Sequence, residues 1–77
     1  MSEMKGIISV KGNEPHIYLA FTTENGIVYI IEGPMAKDLR EKYQGSKVKV
    51  KAKVVKEKDE SIIRPGVIEI YKVIGEY

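Results

Sequence analysis

Gly33-Pro34-Met35-Ala36-Lys37-Asp38-Leu39-Arg40-Glu41-Lys42-Tyr43-Gln44-Gly45 is the stretch where the hydrophobic period of this chain changes from two to four. Met35, Leu39 and Tyr43 fall every fourth residue, so one side of a short helix is apolar, while Lys37, Asp38, Arg40, Glu41 and Lys42 fill the other. Pro34 suits the first helical position, where a missing N–H costs nothing, and Gly45 suits the left-handed residue that ends a helix. The spacing therefore predicts an amphipathic helix of three and a half turns between Pro34 and Gly45. Everything on either side of it reads as strand.

Upstream, Ile27 to Ile31 is β-branched and aromatic, as strands are. Asn25-Gly26 before it is a strong hairpin signal, because both residues tolerate positive φ. His16 to Thr23 sets Ile17, Leu19 and Phe21 against His16, Tyr18, Ala20 and Thr22, the period of a half-buried strand. Residues 5–11 form a first strand bounded by Gly12-Asn13 and Pro15. Downstream, residues 47–54 alternate Lys with Val or Ala. A charged loop from Lys56 to Ser61 then leads to a fifth strand over residues 62–74. Pro65-Gly66 interrupts it, so a bulge or bend is expected there, or a strand that begins only at Val67.

The 77 residues suffice for one core and one domain, residues 1–77. That core is expected to hold Ile8, Val10, Ile17, Leu19, Phe21, Val28, Ile30, Val48, Val50, Val54, Ile68 and Ile70, with Leu39 and Tyr43 of the helix capping it. The absence of cysteine excludes disulfides, thiolate metal sites and thiol catalysis. No apolar run approaches the roughly 20 residues that span a bilayer. Met1-Ser2-Glu3-Met4-Lys5 enters strand-like sequence with no apolar signal segment, which gives a cytoplasmic expectation. Eleven of 13 basic residues are Lys and nine of 11 acidic ones are Glu. With few amides beside them, that is the hyperthermophile bias, and a thermophilic source is expected from it.

Three meandering strands, a helix, then two more strands is the order of the OB-fold, and the chain resembles one from about Lys5 to Ile74. OB-folds are all-β five-stranded Greek-key barrels with one helix between strands three and four. More closely, Tyr29-x-x-Glu32-Gly33, the helix with Leu39, and Gly45-x-x-Val48-x-Val50-x-Ala52-x-Val54 look like the compact prokaryotic OB domains of largely unassigned function. The resemblance implies a fold and a usual ligand face, the outside of strands two and three. It transfers no catalytic or binding residue. An SH3-like barrel also has five short strands, and a long helix after strand three fits it poorly.

If Asn25-Gly26 is a two-residue loop, Thr22 pairs with Tyr29 and Ala20 with Ile31. Tyr18 and Tyr29 then lie outside with His16, Ile27 and Ile31, and bases can stack on them at roughly 1–3 kcal/mol each. A longer loop flips the register and sends Tyr29 inward. The exposed isoleucines suit a protein or self-association interface equally. Lys47, Lys49, Lys51 and Lys53 share one face about 6.6 Å apart, near the ~7 Å repeat of phosphates along a strand. The competing account is a solvated face that keeps the protein soluble and guards a sheet edge. Lys56, Lys58 and Arg64 flank a loop of the kind that closes over ligands.

His16 is the lone histidine and reads as a surface residue, since zinc needs three or four ligands. Asp59, Glu60 and Glu57 lack calcium-loop spacing. No nucleophile has a base beside it and no Gly-rich phosphate loop is present, so no enzyme and no cofactor are expected. Two functions remain in view. One is a non-catalytic module binding single-stranded DNA or RNA through Tyr18, Tyr29, His16, Lys47, Lys49, Lys51, Lys53, Lys56, Lys58 and Arg64. The other is a protein-interaction or homo-oligomerisation module using the apolar face of strands two and three.

Overall fold

A computed structural model describes residues 2–13, 15–57 and 65–77. The described residues are mostly β, with five strands and one helix: β1 (Ser2–Asn13), β2 (His16–Thr23), β3 (Val28–Glu32), α1 (Ala36–Tyr43), β4 (Lys47–Lys56) and β5 (Gly66–Glu76). The strands close into a barrel in the order β1-β2-β3-β5-β4, with β4 returning to β1. All neighbours are antiparallel except β3 and β5. Among the described residues no helix is long and apolar enough to cross a membrane.

β1 makes closure possible by serving two partners. Ser2 to Ile7 pair with β4 and Gly6 to Asn13 pair with β2, so Gly6 and Ile7 belong to both ladders. The strand is longer than the sequence promised at both ends. Gly12 was expected to stop it, yet at φ 93° it continues the ladder to Asn13 opposite His16. Only glycine adopts that angle without strain.

The hairpin between β2 and β3 overturns the expected register. Its loop has three residues, Glu24, Asn25 and Gly26, with Gly26 at φ 83°. Thr23 N–H donates to Ile27 O at 2.9 Å, Gly26 N–H to Thr23 O at 2.9 Å, and Ile27 N–H to the Thr23 hydroxyl at 3.1 Å. Phe21 therefore faces Tyr29, and Ala20 faces Ile30. The one-residue slip exchanges the faces of β3, because side chains alternate with period two. Tyr29 and Ile31 turn inward, and Val28 and Ile30, expected in the core, stand outside and half-buried.

The core holds Ile8, Leu19, Phe21, Ile31, Leu39, Val48, Val50, Ala52, Ile68 and Ile70. Val10, Val54 and Tyr43 pack against it half-buried, with Met4, Tyr29, Met35, Ala36 and Val73. Ile17, also expected inside, is half-buried and outside that cluster. The helix is shorter than the three and a half turns expected. Its eight residues make about two turns, because Gly33, at φ 106°, and Pro34 form a turn ahead of it. Its exit is stitched to β1, with Gly45 N–H on Ile8 O at 2.7 Å and Ile8 N–H on Ser46 O at 3.2 Å.

β5 begins at Gly66, directly after Pro65, and its irregularities lie elsewhere. Lys51 faces Lys72 while Ala52 faces Ile70, leaving Tyr71 as the extra residue of a bulge. Ile74 is left over in the same way, and Val55 is the extra residue on β4. A bulged residue steps out of the alternation. Each of these three accordingly shows a large apolar side chain to solvent, at 43%, 41% and 48% exposure. Residues 62–64, read as the start of strand five, lie outside the described residues.

Candidate nucleic-acid interface

Val48, Val50 and Ala52 are buried, so Lys47, Lys49, Lys51 and Lys53 share the outer face of β4, as their alternation implies. Closure gives them neighbours the linear sequence conceals. Lys5 of β1 stands opposite Lys49, and Lys72 of β5 opposite Lys51. Six lysines from three strands thus form one basic surface, relieved by Glu3 opposite Lys51 and Glu69 opposite Lys53. Lys49 lies 3.8 Å from Glu3, both side chains well exposed. An exposed pair of that kind is worth little and leaves the surface positive.

An aromatic ring stands at the edge of this surface. Tyr77 N–H donates to Lys47 O at 3.2 Å, and the Lys5 ammonium sits 5.3 Å from the Tyr77 ring centroid. That is cation–π range, and the ring is 53% exposed. Lys5, Lys72 and Tyr77 were missed because no local motif marks them. Only the register of β1 and β5 against β4 brings them to the stripe.

Tyr71, pushed out by its bulge, has a phenol pKa above its ordinary 10.0. Partial desolvation on the barrel wall is the main cause, followed by the charge of Glu69 and a hydrogen bond to it. Tyr77 is also raised, by desolvation and then by Glu24. A raised phenol favours the neutral form when folded, so any contribution to stability is present below pH 10 and fades at higher pH. Spectrophotometric titration of the folded chain should show tyrosines ionising late. Glu69→Gln should bring the Tyr71 transition down, and an unchanged curve would dismiss the Glu69 contribution.

The other expected residues are dispersed. Tyr18 is 40% exposed on the outside of β2, across from Lys11. Tyr29 is elsewhere: a Cβ on Gly66 would lie 2.9 Å from two of its ring carbons, so the ring lies flat across Gly66 and packs on the core. It offers no outer stacking surface beside Tyr18. His16 is exposed at the start of β2, opposite Asn13. Lys56 is exposed at the end of β4, opposite Val67. Lys58 and Arg64 lie outside the described residues.

A groove of about 400 Å³ opens between β2, β3 and α1. Tyr18 forms part of its rim, and Lys37 and Arg40 of the helix line it. No group of His, Asp and Glu able to hold a metal occurs among the described residues. No family model, curated protein or solved structure matches the chain.

Proposed function

We propose that the chain is an OB-type, non-catalytic module that binds single-stranded nucleic acid along the outer face of β1, β4 and β5. The strand order, the parallel β3–β5 pair and a helix between β3 and β4 in the chain favour the OB assignment. The observation that carries the binding reading is the lysine surface on a strand paired along both edges. Lysines on an open edge discourage aggregation. From Lys47 to Ala52 β4 has β1 on one side and β5 on the other, so Lys47, Lys49 and Lys51 have no edge to guard. What those lysines share is reach toward a polyanion. Lys47, Lys49, Lys51 and Lys53 track its phosphates, Lys5 and Lys72 widen the track, and Tyr77 and Tyr71 give bases a ring to stack on.

The test is fluorescence anisotropy with a mixed-sequence single-stranded oligonucleotide over a salt series. Counterion release makes affinity fall with salt, by about 0.7 in the log–log slope for each phosphate neutralised on a single strand. Replacing Lys47, Lys49, Lys51 and Lys53 with glutamine should flatten that slope by about 3. An unchanged slope, or no binding by the parent chain at low salt, overturns the reading.

A second reading draws on the bulges, which expose Val55, Tyr71 and Ile74. Such side chains suit contact with a protein or another copy of the chain. Association that tightens with salt in sedimentation runs, and is lost in Tyr71→Ser/Ile74→Ser, would favour it.

A further inference from the structure

We infer that the groove between β2, β3 and α1 is a separate site for a free, single-chain amphipathic carboxylate. The volume, about 400 Å³, lies in the range of small-molecule pockets. The walls are Val10, Leu19, Ile31 and Ala36, from three strands and the helix. Buried side chains among the described residues are all apolar. A base or sugar would find polar partners only at the rim, among Tyr18, Glu32, Lys37 and Arg40, and would leave the apolar wall unmatched. A hydrocarbon chain loses nothing by entering.

The rim supplies the complementary half. Lys37 and Arg40 are three residues apart, hence neighbours on one face of α1, and both line the groove. Among the described residues no carboxylate lies within 4.0 Å of either. An arginine fork takes a carboxylate through two parallel hydrogen bonds, and the lysine adds a point charge. Glu32 lines the same groove. Its charge opposes any anion, and the two cations of the helix outweigh it, so the rim as a whole favours an anionic head; the planar arginine fork matches a carboxylate's two oxygens. The ligand's tail lies along Leu19 and Ile31, its head between Lys37 and Arg40, and Tyr18 covers the mouth.

The experiment is an amide NMR titration of the full chain with decanoate below its micellar concentration, alongside decyltrimethylammonium and phosphatidylcholine vesicles. Saturable shifts are expected at Val10, Leu19, Ile31, Ala36 and Arg40, with Lys49 to Lys53 unmoved. Lys37→Glu/Arg40→Glu, both exposed on the helix, should weaken decanoate at least about tenfold, as losing charge-assisted hydrogen bonds does. Glu32→Gln, which removes only a repulsion, should tighten it two- to threefold. The site is overturned if decanoate shifts nothing there, or if the cationic amphiphile binds equally well. It is also overturned if vesicles compete as the preferred ligand, or if neither variant changes the affinity. Because none of these residues belongs to the lysine surface, the outcome is independent of oligonucleotide binding.

Discussion

Gly6→Ala is expected to leave the chain unfolded. A Cβ at residue 6 would lie 2.3 Å from the carbonyl oxygen of Thr22 and 3.0 Å from a ring carbon of Phe21. The ring could tilt away. The carbonyl is backbone of the neighbouring strand, so β1 and β2 would have to separate. They cannot do so locally, because Gly6 is also paired with Val48 of β4. Overpacking a core ordinarily costs about 1–3 kcal/mol, and a clash between two backbones belongs above that range. A 77-residue domain holds only roughly 4–12 kcal/mol in all. Circular dichroism through a urea titration reads the result, with Gly75→Ala as the control. That position has nothing within 4 Å and an ordinary φ, so its midpoint should hardly move. A folded Gly6→Ala with a parental midpoint would refute the tight crossing.

Phe21→Ala should cost about 3–5 kcal/mol, the usual penalty for emptying a buried phenylalanine site. Phe21 is fully buried, the largest side chain at the centre of the barrel, and faces Tyr29 across the ladder. Its ring also occupies the space that Gly6 leaves empty, so neighbouring side chains cannot refill the hole without bending β1. Phe21→Leu, which keeps most of the volume, should cost less than half as much. Equal losses for the two variants would mean that the site collapses freely, contrary to this packing.

How far the sequence announces these features depends on whether a feature is local. β4 is written in periodicity and occurs near its expected bounds, while α1 keeps its apolar spacing but is shorter than expected, because the turn at Gly33-Pro34 comes before it. The hairpin register is not written there, because Asn25-Gly26 is compatible with loops of two or three residues. The three-residue loop that forms is accompanied by the Thr23 hydroxyl accepting the Ile27 N–H, a bond no pattern of hydrophobicity records. The register decides whether Tyr29 is surface or core, and burial of Phe21 and Ile31 on one side fixes it. Bulges hide equally well. Val54-Val55, Ile70-Tyr71 and Val73-Ile74 read as plain apolar pairs, and only the partner strand shows which member is displaced. The candidate interface divides along the same line. Four of its lysines stand in one alternating run, while Lys5, Lys72 and Tyr77 arrive from the two ends of the chain.

The arrangement that gathers those ends also sets a clock. Barrel closure joins Ser2 to Ala52 and Tyr29 to Gly66, so two of its seams bring together residues far apart in the chain. Such contacts are entered only after large loops have closed, and barrels of this kind fold in milliseconds to seconds, whereas local helical bundles need microseconds. The β1–β2 and β2–β3 hairpins can form early. The basic surface cannot, since it exists only once β1 and β5 have both met β4. An oligonucleotide bound there spans the β1–β4 seam, one of those two long-range seams, and it should slow unfolding while leaving the rate of folding nearly untouched.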